Sequence, residues 1–272
     1  ASIYMSNGKF LIHLAPKDGI NCVFSRGQYN MNLTSFALLK LQRGGVYKSE
    51  TGSNEVALVL LGGKCSIKGP EFEFPEVGGR KNPFEGKPHT VYLPRNTGYE
   101  ICALTDLEIA VNIAPASRDT AKPTIISPEM TRSFSLGREN FTRLATVIID
   151  ETFDSEHFYI GEGMIPSGNW SGYPPHRHDF DNLPDEIDME ETYFYLFNPP
   201  QGFGIQKIYT PDGRIDETYT VKNYDTVAIA EGFHPLCGAP GYSMYYLWTM
   251  CGKNNRGLIS AMDPEHKWVV GK

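Results

Sequence analysis

The chain has little of what marks a secreted, membrane-spanning or nucleic-acid-binding protein. Its 272 residues include only five cysteines, which are widely spaced and form no Cys-x-x-Cys pair, as is typical of free thiols in a reducing compartment. No run of about 18 apolar residues suggests a transmembrane helix, and the N-terminal segment does not resemble a signal peptide. The net charge of −7, without a cluster of Lys or Arg, argues against nucleic acid and anionic membranes as partners. We therefore expect a cytoplasmic protein.

Long amphipathic helical patterns are also missing, and short strand-like segments take their place. These segments are rich in β-branched and aromatic residues, and Gly, Pro, Asn or Asp bounds each of them. They cover 35–41, 55–63, 89–94, 107–115, 143–149, 157–165, 191–197, 202–210, 217–221, 225–230 and 243–250. Between two of them, TPDGR at 210–214 predicts a hairpin turn, because Pro211 fixes φ and Gly213 tolerates a positive φ. The pattern predicts an all-β sandwich or barrel.

The strand-like segments fall into two similar halves. In each half a glutamate, Glu55 or Glu191, is followed by six strand residues and then a turn. The segment between the halves is poor in strand signals and rich in Pro, Ser and Thr. We therefore predict a duplicated fold with an N-terminal barrel over 1–118, a crossing linker over 119–142 and a C-terminal barrel over 143–272.

Three histidines and a glutamate in the second half have the spacing of a metal site. His176 and His178 are two residues apart, so on a strand both side chains face the same way. Glu191 opens a later strand segment and His234 follows another, and both segments can lie beside the pair. Imidazole and carboxylate together suit a divalent ion such as zinc, manganese, iron or nickel.

The spacing of this set, with Gly172 before it, resembles the double motif of the cupins, small antiparallel jelly-roll barrels that hold a metal inside. Residues 174–210 more closely resemble the 5-deoxy-glucuronate isomerases of myo-inositol catabolism. These enzymes are bicupins related to the 4-deoxy-5-hexosulose-uronate ketol-isomerases of pectin breakdown. The resemblance implies an all-β bicupin with two antiparallel jelly-roll β-barrels. Twelve residues, 179–190, separate His178 from Glu191, more than in general cupins, and the isomerases are similar in this.

The resemblance also decides between two adjacent glutamates and between the two barrels. The six residues before the turn select Glu191 as the ligand, and alternation points Glu190 the other way. In the N-terminal half, Tyr47 and Ser49 stand where the histidine pair would fall, and only Glu55 is retained. We therefore expect one metal per chain, bound in the C-terminal barrel.

The resemblance implies an aldose–ketose isomerisation of 5-deoxy-D-glucuronate to 2-deoxy-5-keto-D-gluconate. One divalent metal, for which zinc is expected before manganese, iron or nickel, would polarise the substrate carbonyl. Three side chains are candidates for the base that moves the proton, namely Glu162, Asp179 and Tyr195. A metal-assisted hydride shift would need no such base.

The substrate carboxylate requires a cation or hydrogen-bond donors. Arg143 and Lys207 are the candidates, and Arg143 can bind a carboxylate through two hydrogen bonds. Gln206 and Tyr209 are candidates for contacts with the sugar hydroxyls.

Other functions remain open at this stage. They are the related pectin-type uronate ketol-isomerase, a metal-dependent cupin oxygenase or decarboxylase, and a sugar-binding or storage bicupin. The long insertion at 179–190 argues against the first, and the full ligand set argues against the last. By analogy with other bicupins we expect a homo-oligomer.

Overall fold

The structure is a computed structural model that describes residues 3–6 and 9–271. Within these residues the chain forms antiparallel sheets joined by turns and a few short 3-10 helices. The first twelve strands are β1 (Ile3–Ser6), β2 (Leu11–Ala15), β3 (Gly19–Phe24), β4 (Ser35–Leu41), β5 (Val46–Glu50), β6 (Asn54–Gly62), β7 (Lys64–Gly69), β8 (Phe72–Gly78), β9 (Thr90–Leu93), β10 (Gly98–Ala103), β11 (Leu107–Pro115) and β12 (Thr124–Ile126).

The second half of the chain continues in the same way. Its strands are β13 (Arg132–Leu136), β14 (Arg143–Ile149), β15 (Phe158–Ile165), β16 (Trp170–Ser171), β17 (His176–Arg177), β18 (Met189–Asn198), β19 (Phe203–Tyr209), β20 (Asp216–Lys222), β21 (Thr226–Ile229), β22 (Leu236–Gly238), β23 (Ser243–Gly252) and β24 (Ala261–Met262). The 3-10 helices are Pro83–Glu85, Pro128–Met130, Glu139–Phe141 and Lys267–Gly271. The predicted hairpin turn joins β19 and β20, with Gly213 at a φ of 71°.

The core of each barrel lies between one large and one small sheet, and β17 and β24 of the second half form a further two-stranded sheet. In the first barrel a six-stranded sheet (β12-β9-β6-β11-β4-β3) packs on a four-stranded one (β5-β10-β7-β8). In the second barrel an eight-stranded sheet (β1-β2-β21-β18-β23-β15-β14-β13) packs on the sheet β16-β22-β19-β20. The predicted all-β, two-barrel class is therefore confirmed.

The two barrels pack against each other through the outer faces of their large sheets. Phe36 of β4 and Phe194 of β18 lie in this contact, with ring centroids 5.6 Å apart. The central strands of each large sheet are consequently buried on both faces. In β18, Tyr193 and Tyr195 face the inside of the second barrel, whereas Phe194 faces the first barrel. This explains why residues 193–197 of β18 form an unbroken run of aromatic and apolar residues rather than an alternating pattern.

The N-terminal strands cross into the other barrel. β1 pairs with β2, and β2 pairs with β21, where Leu11 lies opposite Val227. The predicted N-terminal barrel covers residues 1–118, but in the structure β1 and β2 belong to the large sheet of the second barrel. The side chain of Leu11 accordingly lies in the core of that barrel. The predicted linker over 119–142 also contains strands: β12 pairs with β9 of the first barrel and β13 with β14 of the second.

Two buried glutamates bind the barrels together reciprocally. Glu190, on β18, accepts hydrogen bonds from the backbone N–H groups of residues 32–34 and from the Thr34 hydroxyl, at 2.6–2.8 Å. Glu55, on β6, accepts bonds from the N–H groups of residues 156 and 157 and from the hydroxyls of Ser155 and Tyr92. Each carboxylate thus satisfies backbone donors of the opposite barrel.

The strand registers make Glu55 the counterpart of Glu190. Asn112 and Thr249 meet across the contact between the barrels, with the Thr249 hydroxyl donating to the Asn112 side chain at 2.7 Å. Asn112 pairs with Ala57 and Thr249 with Thr192, so the residues two positions earlier, Glu55 and Glu190, correspond. The spacing in the sequence relates Glu55 to Glu191, but in the structure Glu55 corresponds to Glu190 instead. The position of Glu191 is taken in the first barrel by buried Val56.

Replacing Glu190 with alanine should lower the stability of the protein. The change leaves three backbone N–H groups and a hydroxyl without a partner, at a cost of about 3 kcal/mol or more. The check is the midpoint of urea unfolding followed by circular dichroism, with Glu71→Ala on an exposed residue as the matched control. Equal midpoints for the two variants would contradict the role of Glu190.

Candidate metal centre

Three histidines converge inside the second barrel. His176 begins the short strand β17, His178 follows it, and His234 lies in the turn after β21. Ligand-type nitrogens of the three rings all lie within 4.8 Å of one another. Residues far apart in the sequence thus form a cluster small enough to surround a single ion.

Glu191 completes the cluster from β18. One oxygen of its carboxylate lies 2.8 Å from Nε2 of His178 and 3.7 Å from Nε2 of His234. Glu190, its neighbour, points to the opposite face of the sheet because side chains alternate along a strand. The structure therefore brings the four candidate ligands together, and Glu191 rather than Glu190 lies beside the histidines.

Backbone carbonyls fix the orientation of two of the rings. Nδ1 of His178 donates to the carbonyl of Met189 at 2.5 Å, and Nδ1 of His234 donates to the carbonyl of Gly232 at 2.9 Å. Because a carbonyl can only accept, these bonds place the proton on Nδ1 and leave Nε2 to face the cluster. Nε2 of His234 is buried and has no hydrogen-bond partner. A buried, unprotonated and unpartnered nitrogen fits a metal ligand.

The electrostatics of the cluster favour the ligand forms of His176, His234 and Glu191 and act in the opposite direction on His178. Burial lowers the pKa of His234 to about 3, and it also lowers the pKa of His176, so both rings are neutral near pH 7. Burial acts in the same direction on His178, but the hydrogen bond and charge of Glu191 outweigh it and raise its pKa. The pKa of Glu191 is lowered, because His178 outweighs the effect of burial on the carboxyl group. Glu191 is thus an anion among imidazoles.

A further layer of contacts holds the turn that carries His234. The carboxylate of Asp179 accepts from the N–H of Gly232 at 2.9 and 3.0 Å, and the carbonyl of the same glycine orients His234. On the other side, the amide of Gln206 donates to the carbonyls of His234 and Pro235. Neither side chain is free to contact a substrate, and each holds His234 in place.

The cluster opens on a cavity of about 330 Å³. Its wall is largely apolar and aromatic, with a few polar groups. These polar or ionisable lining residues are Arg143, Ser171, His176, His178, Glu191, Tyr193, Tyr246 and Ser260. Among the described residues that line the cavity, Glu191 is the only carboxylate. A small sugar acid is of the size and polarity that this cavity can hold.

None of the three candidate bases lies in the cavity. Glu162 faces the first barrel, where Arg80 donates to it at 2.7 Å and Tyr245 also bonds to it. Asp179 follows His178 and so points the other way, to Gly232. Tyr195 faces the barrel interior but is fully buried, with its hydroxyl bonded to Gln206. Glu162 and Asp179 point away from the cavity because side chains alternate along a strand, and Tyr195 lies too deep in the barrel to reach the cavity.

Of the four candidate substrate contacts, Arg143 alone lines the cavity. Its terminal nitrogen donates to the carbonyls of Phe141 and Tyr173, while its Nε is buried without a partner. The other three lie outside the cavity. Lys207 lies over the ring of Tyr209 on the outside of the barrel, Tyr209 donates to Asp263, and Gln206 supports His234.

Sequence reasoning missed Ser171, Tyr193 and Tyr246, which all line the cavity. Strand alternation could have predicted Tyr193, because it lies two residues after Glu191 on the same face of β18. Ser171 and Tyr246 come from β16 and β23, and only the barrel closure brings them beside the histidines. No local pattern marks either residue.

Two antiparallel barrels, one of which encloses three histidines and a glutamate, define a two-barrel cupin protein. The sequence profile of the KduI/IolB family matches residues 13–269, and the chain belongs to this family. The family resemblance carried by residues 174–210 is thereby confirmed. Within residues 3–6 and 9–271, no helix is long and apolar enough to cross a membrane.

Relatives in this family cover most of the chain. A protein named 5-deoxy-glucuronate isomerase from Geobacillus thermodenitrificans (strain NG80-2) is 41% identical over 236 residues, 86% of this chain and 85% of the relative. A protein of the same name from Bacillus subtilis (strain 168) is 33% identical over 256 residues, 93% of this chain and 94% of the relative.

Solved structures show the same fold. An IolB-like protein from Salmonella typhimurium LT2 is 31% identical and superposes with a TM-score of 0.91, over 96% of this chain and 99% of that one. Oxalate decarboxylase from Bacillus subtilis superposes with a TM-score of 0.64 at 12% identity, over 95% of this chain and 80% of that one. The second likeness concerns the fold alone.

Replacing Asp179 with alanine should weaken metal binding without removing a ligand. The Gly232 turn loses its anchor, His234 loses its fixed orientation, and the affinity for zinc should fall about 10–100-fold. Competition titration with a chromogenic chelator measures this effect. Asp216→Ala, which removes an exposed aspartate on β20, is the matched control and should bind zinc like the wild type. Unchanged zinc affinity in Asp179→Ala would show that Asp179 is not needed to hold the Gly232 turn in place.

Proposed function

We propose that this chain is a divalent-metal-dependent isomerase that converts 5-deoxy-D-glucuronate into 2-deoxy-5-keto-D-gluconate in the breakdown of myo-inositol. Its family and the names of its relatives support the isomerase activity. One structural observation carries the mechanism. A cluster of three histidines and Glu191 adjoins a small cavity that is also lined by a partly buried arginine, Arg143, whose buried Nε has no partner.

His176, His178, Glu191 and His234 would hold the ion, for which zinc is our first choice and manganese, iron or nickel the alternatives. When bound there, the ion supplies positive charge that polarises a carbonyl and stabilises the negative charge that develops beside it. Three neutral imidazoles and one carboxylate leave this positive charge only partly neutralised. The cluster itself is held rigid by the carbonyls of Met189 and Gly232.

Arg143 would bind the carboxylate end of the substrate. Burial lowers the pKa of its guanidinium, but the group stays charged near pH 7, so the cavity contains a fixed cation. Its Nε has no partner within the protein, and a carboxylate is an anion that can accept from it. The substrate would then lie between Arg143 and the histidine cluster, with its aldehyde end toward the cluster.

The alternative functions have weaker support. The pectin-type ketol-isomerase would use the same cluster, but the relatives described above are named for 5-deoxy-glucuronate. The decarboxylase shares only the fold. We also propose a cytoplasmic location and a homo-oligomeric state. The edge strands β5, β8 and β20 of the small sheets, which a neighbouring copy can extend, support the oligomer.

Purified protein should convert 5-deoxy-glucuronate faster than 4-deoxy-5-hexosulose-uronate. Chelation should abolish turnover and zinc should restore it, because the charge that polarises the carbonyl is lost and regained. His178→Ala should contain no metal by elemental analysis and should not turn over. The control is His266→Ala, which alters a partly exposed histidine outside the cluster. Metal-independent turnover by the wild type would refute the proposed mechanism.

Arg143→Met should raise KM with metal content unchanged. A charge-assisted hydrogen bond to the substrate carboxylate contributes about 1.5–3 kcal/mol, which corresponds to a rise of at least about tenfold. Steady-state kinetics and elemental analysis of the same preparation measure the two quantities. Arg95→Met is the matched control, because it removes an arginine of the first barrel that pairs with Asp119, and it should leave KM unchanged. A KM within error of the wild type would exclude Arg143 as the carboxylate-binding residue.

A further inference from the structure

We propose that Tyr246, paired with Ser171, moves the hydroxyl proton between the two reacting oxygens of the substrate. The proposal rests on the proposed function and extends it to a specific proton-transfer residue. Both residues line the metal cavity, and their hydroxyl oxygens lie 2.5 Å apart.

The chemistry requires such a group whichever way the carbon-bound hydrogen moves. An aldose–ketose isomerisation moves one hydrogen from C2 to C1, and it also moves one proton from the C2 oxygen to the C1 oxygen. A carbon base and a hydride shift differ only in the first transfer. The second transfer is the same in both routes, and it needs a group that can donate to one oxygen and accept from its neighbour.

The atoms of this step balance without a further reactant. Tyr246 donates its phenolic proton to the C1 oxygen as the carbonyl is reduced to a hydroxyl. It then takes the proton of the C2 hydroxyl as that carbon becomes the new carbonyl. The O–H bond of Tyr246 is broken once and formed once, so the side chain ends as it began.

The hydrogen-bond partners of the two tyrosines that line the cavity, and of Tyr195 beneath it, single out Tyr246. Tyr195 is bonded to Gln206 beneath the cavity, and Tyr193 bonds to the carboxylate of Glu191, which can only accept. Tyr246 is paired with another hydroxyl, and in such a pair either oxygen can be the donor. When the Ser171 hydroxyl is the donor, Tyr246 keeps its own O–H for the substrate, and the same bond stabilises the phenolate after the proton has left.

Tyr246 has neighbours that stabilise its phenolate. Burial and the charge of Glu191 raise the pKa of its phenol, and the hydrogen bond of Ser171 and the positive charge of Arg143 moderate that rise. Among the described residues that line the cavity, Glu191 is the only carboxylate, and it belongs to the metal cluster. Tyr246 is thus the cavity's ionisable side chain that is committed neither to the cluster nor to the substrate carboxylate.

A glycine on the neighbouring strand makes room for the ring. Gly163 of β15 lies opposite Tyr246 of β23, and a Cβ atom at Gly163 would lie 2.3 Å from two ring carbons and 2.7 Å from the hydroxyl oxygen. The ring thus lies flat on bare backbone, with its hydroxyl directed to Ser171. The neighbouring Gly161 accommodates Trp248 in the same way. Gly163 is therefore a positioning residue for Tyr246.

The direct test is Tyr246→Phe, assayed with zinc-loaded protein. Loss of the proton-transfer group should lower kcat about 100-fold or more, while KM and zinc content stay close to wild type. Tyr224→Phe, which removes a partly buried hydroxyl bonded to Glu108 far from the cavity, is the matched control and should keep wild-type kcat. If the wild type turns over and Tyr246→Phe keeps the same kcat, the role of Tyr246 is refuted and the proposed function is not. A wild-type protein without turnover overturns the proposed function instead.

Two further variants keep the test decisive if Tyr246→Phe does not fold. Ser171→Ala should lower kcat about tenfold and change the solvent isotope effect on kcat, which a merely structural role would not do. Gly163→Ala should displace Tyr246 and lower kcat with zinc retained, whereas Gly98→Ala, where the added Cβ meets nothing within 4 Å, should not. Unchanged kcat in both Ser171→Ala and Gly163→Ala would overturn the proposal.

Discussion

The burial of β15, β18 and β23 on both faces is the constraint on which the rest of the structure depends. Side chains alternate along these strands, so each strand must supply one face to the cavity and the other to the contact between the barrels. Glu191 and Tyr193 lie on the cavity face, and Glu190 and Phe194 lie on the contact face. A shift of one residue in register would exchange the two sets and destroy both the cluster and the contact.

This division also explains how the first barrel supports the second. It contributes Arg80 and backbone donors to the contact face, where they satisfy the carboxylates of Glu162 and Glu190. Buried carboxylates without such partners would be strongly destabilising. The first barrel thereby holds in place the strands that carry the cluster. Glu55 of the first barrel, in turn, accepts hydrogen bonds from backbone N–H groups of the second barrel.

The same alternation decides which candidate side chains reach the cavity and which do not. The spacing of the four residues in the cluster reflects local strand geometry, so the sequence could predict that they lie together. Glu162 and Asp179 are suitable acids by residue type, but each lies one position out of phase with the cavity. Lys207 is excluded by its place on the outer face of the barrel. Residue type therefore predicts a chemical role only when it is known which face of the strand the side chain lies on.

The sequence by itself determined the all-β class, most strand positions, the ligand spacing and the family, because these depend on residues close together in the chain. Only the tertiary structure decided which strands of one half join the other, as β2 does, and which side chains share the cavity. Arg143, Ser171 and Tyr246 come from three different strands and meet only when the barrel closes. Contacts between distant segments depend on the packing of whole sheets, which no local pattern encodes.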